Sequence, residues 1–265
     1  MNWEISKKSN LLPLLEETPE AYYWIGFLMA DGGFQMNRYL RLELSSMDKE
    51  HLLRFSNFIN YSGKYIIHKN CIAISCGDHI TVPQIMVKFD MKSRKTYNPP
   101  EHLPDVSDEL LLSLIIGFID GDGCIQKQSV GNNYIIKIQC HGSWIFILQE
   151  MMNVINNHYG MINLDVKINN RGYSFFRIFN PKVQRGLKQI ALDLTLPIME
   201  RKWDKIDEHR IDKADIDRER VENILELAKS GFSYEAIKEK LPYNHSTIRV
   251  IMWKNGFTKK GLNNE

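Results

Sequence analysis

The sequence predicts an α+β fold of two tandem αββαββα repeats with pseudo-two-fold symmetry, followed by a small all-α unit. A nine-residue pattern occurs twice, as WIGFLMADG at residues 24–32 and as IIGFIDGDG at residues 115–123. After each copy, polar and apolar residues alternate, which is typical of a half-buried strand. The tail instead has the apolar spacing of short amphipathic helices. The predicted units are residues 1–97, a linker at 98–106, residues 107–212 and residues 215–260.

Small residues lie on one side of the two helices that contain the repeated pattern, here called the motif helices. Gly26 and Ala30 are four residues apart in the first copy, as are Gly117 and Gly121 in the second. Residues four apart share a helix face, and small side chains on that face let two backbones approach closely. The pattern therefore predicts that the motif helices pack directly against each other.

Each motif helix is expected to end in an aspartate, Asp31 in the first copy and Asp122 in the second. Packing the helices together would bring these carboxylates side by side. Two like charges at close range need positive charge between them, and a divalent cation is the usual solution. A single aspartate at a helix end is normally a capping or solvated acid, but its repetition favours a metal site.

The repeated pattern resembles the LAGLIDADG homing endonucleases, which take their name from this motif. The second copy matches at residues 117–123, whereas the first has Met29 where the family often has an acid and Trp24 where it has an aliphatic residue. The resemblance implies a monomeric, metal-dependent endonuclease that cuts both strands of double-stranded DNA at a long site. Since the two halves differ, that site is expected to be non-palindromic.

Several site residues follow from this resemblance. Asp31 and Asp122, together with Ala30 and Gly121, are expected to hold Mg²⁺, for which Mn²⁺ can substitute. All-oxygen donor sets suit these hard cations.

Family members also place a basic residue after the third helix of each repeat. Lys95 and Lys202 correspond to that position and are the predicted catalytic lysines, with Lys92 and Arg94 as alternatives to Lys95.

Two polar strand residues are expected close to the attacking water, namely Glu43 in the first repeat and Gln139 in the second. Glu43 adds negative charge in one half only. The two DNA strands are therefore expected to be cut at unequal rates.

Antiparallel strands can lie along the DNA major groove, which admits a β-ribbon. The polar faces of the strands at 39–45 and 134–141 would then form the floor of a DNA-binding saddle. An exposed polar sheet face needs no ligand, but two matched faces favour one. The predicted DNA-contacting residues of the repeats are Arg41, Ser45, Lys64, Lys69, Lys137, His141, Lys167, Arg171 and Arg177.

Basic residues are concentrated in corresponding parts of the two repeats. Residues 62–100 contain six Lys/Arg against two Asp/Glu, and residues 161–203 contain eight against three. Solvated faces would account for either region alone. Their equivalent positions favour a continuous positive surface for a polyanion.

Periodicity and cap residues predict the remaining elements of the repeats. In the first repeat they are a helix at 19–31 capped by Thr18, a helix that Asp48 caps and Gly63 breaks, strands at 65–68 and 71–75, and a helix at 79–89. In the second they are a helix at 108–122, a turn at 131–133, a helix at 143–159, strands at 162–168 and 173–179, and a helix at 181–193.

The tail resembles the helix-turn-helix of resolvase-like and sigma-like DNA-binding domains. Its first helix is expected at 220–229, its second from Ser233 to 240, and its third from Asn244 or Ser246 to about 255. The inward side chains of the first helix are expected to be Val221, Ile224, Leu225 and Ala228. His245 and Arg249 on the third helix are the predicted DNA contacts. A small three-helix packing unit without a DNA role is the alternative.

Composition sets few limits on the function. The chain has 265 residues, a formal charge of +2 and 43% hydrophobic residues, which is ordinary for a globular protein. The four cysteines lack metal-binding spacing, and no apolar run is long enough to span a membrane. We expect a soluble, cytoplasmic protein without membrane association.

Two other functions are compatible with the same fold. One is a non-catalytic DNA-binding regulator that pairs a LAGLIDADG core with a helix-turn-helix, although retention of both motif aspartates speaks against it. The other is an intron RNA maturase, which binding of intron RNA would favour.

Overall fold

A computed structural model describes residues 8–127, 134–160, 165–206 and 213–257, with the backbone alone for 213–217. Its contacts divide the chain into two compact units, Met1–Asp207 and Glu208–Glu265. The turn predicted at 131–133 lies outside the described residues, as does the first part of the strand predicted at 162–168.

The first repeat has the predicted order of elements. They are α1 (Pro19–Asp31), β1 (Gly32–Gln35), β2 (Tyr39–Ser45), α2 (Lys49–Phe58), β3 (Ile66–Ile67), β4 (Cys71–Gly77) and α3 (Thr81–Lys88). The strands form an antiparallel sheet in the order β1-β2-β4-β3.

The second repeat has the same order and adds one short helix. Its elements are α4 (Asp108–Asp122), β5 (Gly123–Lys127), β6 (Tyr134–His141), α5 (Ile145–Tyr159), β7 (Lys167–Ile168), β8 (Tyr173–Ile178), α6 (Pro181–Asp193) and α7 (Glu200–Trp203). Its antiparallel sheet runs β5-β6-β8-β7, the counterpart of the first. The predicted fold class and repeat order are confirmed, while the pseudo-two-fold symmetry stays a prediction.

Local sequence explains most element ends, with one exception in the first repeat. Thr18 caps α1 by accepting a hydrogen bond from the Ala21 N–H at 3.3 Å. The prediction that Gly63 breaks the next helix is wrong, because α2 already ends at Phe58. Asn60 adopts a left-handed conformation with φ of 47°, which stops the helix earlier.

The motif helices α1 and α4 pack directly against each other, as predicted. A Cβ atom added to Gly26 would lie 1.8 Å from the Leu114 carbonyl oxygen, and one added to Gly117 would lie 1.9 Å from the Tyr23 carbonyl oxygen. No side chain fits in either place without moving a helix. Since each motif helix is surrounded by its partner and by sheet residues, both are apolar on nearly every side.

The unit Glu208–Glu265 contains three described helices. They are α8 (Lys213–Lys229), α9 (Tyr234–Lys240) and α10 (His245–Lys254). Of the two predicted caps for the third helix, Asn244 is the one observed, because its side chain accepts from the Thr247 N–H at 2.8 Å. The buried side chains are Ile224, Ala228, Ile237, Ile248 and Met252.

The inward face of α8 differs from the prediction at two positions. Among the described side chains Leu227 packs against the buried cluster of this unit, whereas Val221 and Leu225, both half-buried, are not part of it. The helix also begins earlier than residue 220, at Lys213. The helix-turn-helix role stays a prediction. Among helices in the described ranges, each is too short or too polar to cross a lipid bilayer.

Candidate active site

The candidate site lies where the two motif helices end. A Cβ atom added to Gly121 would lie 2.2 Å from the Cβ of Ala30, so the penultimate residues of the helices are in contact. Asp31 and Asp122 follow directly, and the next residue in each copy starts a strand. The expected juxtaposition of the two carboxylates therefore follows from the helix contact.

The electrostatics of Asp31 reflect this crowding. Its surroundings exclude much of the solvent although part of the residue is exposed, and this burial raises the pKa of Asp31 to about 6. The charge of Asp122 raises it further, while Lys95 and Lys202 act in the opposite direction. Burial also raises the pKa of Asp122, again opposed by the two lysines. For both carboxylates the effect of burial on the pKa therefore outweighs that of the two lysines.

Lys95 binds the end of the first motif helix. Its Nζ donates to the carbonyl oxygen of Leu28 at 3.0 Å and to that of Ala30. Burial lowers the pKa of Lys95 to about 8, opposed by Asp122 and then by Asp31. The ammonium group thus neutralises the helix C-terminus while lying near both carboxylates.

Lys202 binds the end of the second motif helix in the same way. Its Nζ donates to the carbonyl oxygens of Ile119 at 3.3 Å, Gly121 at 3.2 Å and Gly123 at 2.8 Å, and to that of Asp120. The residue is 7% exposed, and burial lowers its pKa. Each repeat therefore brings one lysine to the C-terminal end of its own motif helix.

Of the two alternatives to Lys95, one is paired with carboxylates elsewhere and the other is exposed to solvent. Lys92 pairs with Asp90 at 3.3 Å and with Glu101 at 3.1 Å. Arg94 is exposed and has a left-handed φ of 57°. Their contacts single out Lys95 as the candidate.

A cavity of about 250 Å³ opens beside the second motif aspartate. It brings together four residues predicted for the active site, namely Ala30, Asp122, Lys95 and Gln139, and its lining also contains the predicted DNA contact His141. The other lining residues are Met29, Thr96, Cys140, Trp144 and Tyr173. The cavity thus joins the motif carboxylate to the polar face of the second sheet.

The donors at the site fit a hard divalent cation. Within the described residues there is no cluster of three His, Cys, Asp or Glu side chains suited to a metal. The available donors are two carboxylates and the carbonyl oxygens of Ala30 and Gly121, all of them oxygen. Each carbonyl accepts a hydrogen bond from a lysine, but a carbonyl has a second lone pair.

The polar faces of the two sheets are not equivalent. On β2, Arg41 pairs with Glu43 at 2.5 Å, so the carboxylate of Glu43 is neutralised within its own strand, which lowers its pKa. On β6, Gln139 lies opposite Phe175, and the Arg177 guanidinium lies 5.0 Å from the centre of the Phe175 ring. The second face therefore has an aromatic ring opposite Gln139, where the first has Ala73 opposite Glu43.

Most remaining predicted DNA contacts are on the surface. Arg41, Lys137 and His141 are half-buried within their strands. The exposed residues of this set are Ser45, Lys64, Lys69, Lys167, Arg171, Arg177, His245 and Arg249. The structure thus leaves every one of them accessible to a ligand at least in part.

Sequence reasoning missed the role of Asp120, which precedes Gly121 in the second motif. It is 1% exposed and accepts three hydrogen bonds from distant parts of the chain. The available signal was an acid in the middle of an apolar helix, at a position where the first copy has Met29.

These features define a class, namely a two-repeat α+β protein whose paired motif helices each end in an aspartate and each have a lysine bound to the backbone carbonyls of that end. No family model matches the chain, and no curated protein does. Solved structures with a similar fold include the LAGLIDADG homing endonuclease I-GzeII in complex with its DNA target. Its sequence is 13% identical, the TM-score is 0.49, and the match covers 92% of this chain and 100% of that one.

Two further LAGLIDADG proteins are similar over most of their length. The meganuclease I-AabMI, bound to uncleaved DNA, is 14% identical with a TM-score of 0.47, over 91% of this chain and 99% of that one. The homing endonuclease I-SmaMI, bound to cleaved DNA, is 12% identical with a TM-score of 0.46, over 93% and 98%. The chain is thus similar in structure to solved LAGLIDADG homing endonucleases.

Proposed function

We propose that this protein is a site-specific double-strand DNA endonuclease that hydrolyses phosphodiester bonds at a long, non-palindromic target. One observation carries the proposal: two motif aspartates lie at the end of a shared helix interface, each with a lysine bound to the same helix terminus. A structural role for one such acid is common. Two acids with two matched lysines are difficult to explain by a structural role alone, because the repulsion between the two carboxylates destabilises the fold.

The residues of the chain supply distinct parts of the reaction. Asp31 and Asp122 provide carboxylate oxygens for Mg²⁺ or Mn²⁺, with the carbonyl oxygens of Ala30 and Gly121 beside them. When bound, a divalent cation neutralises the phosphate and lowers the pKa of the attacking water. Lys95 and Lys202 add fixed positive charge where the transition state gains negative charge.

The sheets supply the DNA contacts in this proposal. Lys137 and Arg177 are directly opposite each other on adjacent strands, and both lie on the polar face that reaches the cavity beside Asp122. Arginine and lysine bind guanine edges or phosphates, and glutamine binds adenine. The different polar faces of the two sheets support a target whose halves differ in sequence.

The test is cleavage of a randomised double-stranded DNA library and of genomic DNA from the source, with Mg²⁺ and with EDTA. We expect wild-type protein to cut one long sequence only when the metal is present. Asp122→Asn should reduce cleavage by more than about 100-fold while binding persists, because a metal ligand is lost but the DNA surface is kept.

The matched control is Asp108→Asn, which removes an exposed carboxylate from the opposite end of the same helix. It should cut like wild type. Tight sequence-specific DNA binding without cutting by the wild type would favour the regulator, and preferential binding of intron RNA would favour the maturase. Loss of binding in step with loss of cutting in Asp122→Asn would contradict the metal-ligand role.

A further inference from the structure

Asp120 is the one acid of the second motif that points into the protein interior. Its Oδ2 accepts from the Tyr23 hydroxyl at 2.7 Å and from the Met199 N–H at 2.9 Å, and its Oδ1 accepts from the Trp203 Nε1–H at 2.7 Å. A buried carboxylate is costly unless its oxygens are bonded in this way. The three bonds therefore fix its position and those of its donors.

Two of these donors flank the candidate catalytic lysine of the second repeat. Met199 immediately precedes α7 and Trp203 is its last residue, so the carboxylate binds both ends of the helix turn that carries Lys202. The backbone carbonyl of Asp120 in turn accepts from the Lys202 Nζ. Asp120 thus binds residues on both sides of Lys202 through its carboxylate, and it accepts a hydrogen bond from the Lys202 ammonium group through its backbone carbonyl.

The first repeat holds its lysine differently. Met29 stands at the position of Asp120 and, being apolar, offers no such bonds. The segment around Lys95 is instead held by the other repeat, because Trp144 Nε1–H donates to the Lys95 carbonyl at 3.1 Å and the Ser143 hydroxyl donates to the Thr96 carbonyl at 2.8 Å. Lys95 and Lys202 therefore occupy equivalent positions at the ends of the motif helices, but different hydrogen bonds hold the segments that carry them.

We propose that Asp120 is a positioning residue for Lys202, and that it supports cleavage of one DNA strand and not of the other. The inference rests on the proposed endonuclease function and adds that the two DNA strands depend on different supporting residues. Its loss should release α7 and leave Lys95 in place. A residue with a general structural role would affect both strands alike.

The test measures the cleavage rate of each strand separately, on a target labelled at both 5′ ends, with full-length protein. Asp120→Asn keeps the shape of the side chain but turns one acceptor into a donor that faces existing donors. We expect it to slow one strand by about 10-fold or more and to leave the other within about two-fold, since small displacements of catalytic groups have large effects.

The lysines identify which strand should respond. Lys202→Met should slow the same strand as Asp120→Asn, and Lys95→Met should slow the opposite one. Trp203→Phe removes a single hydrogen bond to the carboxylate and keeps the ring, so it should show the same strand preference even if Asp120→Asn fails to fold. Equal slowing of both strands in the folded variants, or slowing of the Lys95-dependent strand, would overturn the proposal.

A second readout does not depend on cleavage. Mass spectrometry after brief acylation reports how accessible each lysine is. Lys202 should become at least about five-fold more reactive in Asp120→Asn and in Trp203→Phe, with Lys95 unchanged. If the wild type cuts no DNA, the endonuclease proposal fails, whereas unchanged Lys202 reactivity would refute the positioning role itself.

Discussion

His51 extends the buried polar network of Tyr23 and Asp120. The Tyr23 hydroxyl donates to Asp120, so the ring nitrogen Nε2 of His51, 3.1 Å from that hydroxyl, is the donor to it. The other ring nitrogen, Nδ1, is buried and has no hydrogen-bond partner among the residues that the structure describes. A second proton would therefore add an unpaired charge, and burial, followed by the charge of Arg54, lowers the pKa of His51 to about 3.

This arrangement predicts a specific dependence of stability on pH. Between about pH 6.5 and pH 3 the unfolded chain binds a proton at His51 that the folded chain does not, so the stability that His51 contributes falls as the pH decreases below 6.5. Between pH 7 and pH 5 His51 by itself should account for a loss of about 2 kcal/mol, while Asp31, whose pKa is raised to about 6, acts in the opposite direction. The measurement is urea unfolding of the wild type and His51→Gln at several pH values.

His51→Gln keeps a donor for Tyr23 but cannot be protonated, so its unfolding free energy should decrease less over the same interval. Identical decreases in the two proteins would show that His51 does not contribute.

The pairing of α1 with α4 connects the two repeats. Local helix propensity disfavours glycine at Gly26 and Gly117, yet both positions are in contact with the backbone of the opposite helix. The stabilisation comes from burial of large apolar side chains beside these glycines, such as Phe27, which packs against His51, and Phe118, which packs against Trp144. The same close contact brings the two motif aspartates together.

Substitution of a single helix glycine should therefore separate the repeats. Gly26→Ala places a methyl group 1.8 Å from the Leu114 carbonyl oxygen, where backbone has to move. We expect a loss of about 3 kcal/mol in unfolding free energy, despite the better helix propensity of alanine. The measurement is denaturant unfolding, together with the cleavage rate.

The matched control is Gly33→Ala, just after the same motif. An added Cβ there has its nearest contact at 3.7 Å, an ordinary van der Waals distance. Its stability should stay within about 0.5 kcal/mol of the wild type. A Gly26→Ala protein as stable as Gly33→Ala would contradict the close packing.

The whole chain combines two sheets of unequal polar character with a separate helical unit. Lys64, Lys69, Lys167 and Arg171 lie near the β3–β4 and β7–β8 hairpins, the corresponding positions of the two sheets. In the proposed complex these residues would contact phosphates, which contribute affinity, whereas base contacts contribute specificity. A third set of contacts from the helical unit would lengthen the bound site.

The predicted DNA role of the helical unit can be tested with the double variant His245→Ala/Arg249→Ala. Both residues are exposed at the start of α10, the expected position for base contacts. We expect at least about 10-fold weaker binding and a shorter protected region, with cleavage at saturating protein close to wild type. Footprinting and titration measure the two effects.

Lys229→Ala is the control, because it removes an exposed positive charge from α8 of the same unit. It should leave the length of the protected region unchanged. If the double variant also protects the full site, the helical unit does not contact DNA through these residues, and the alternative of a three-helix packing unit without a DNA role is favoured.

The sequence alone determined the repeat order, the bounds of β2, β6 and α6, and the residues that end the motif helices. These features depend on local signals, since periodicity and cap residues act over a few neighbouring positions. The identities of Asp31, Asp122, Lys95 and Lys202 as candidates followed from the motif resemblance.

Only the tertiary structure decided how these residues are supported. The bonds from Tyr23 and Trp203 to Asp120 join residues 97 and 83 positions apart, and Arg201 pairs with Asp48 over 153 positions. Asp48 was expected to cap α2, but its carboxylate binds this arginine instead. Such contacts depend on which faces of distant elements pack together, and a periodic pattern states only that a face is apolar, not what covers it.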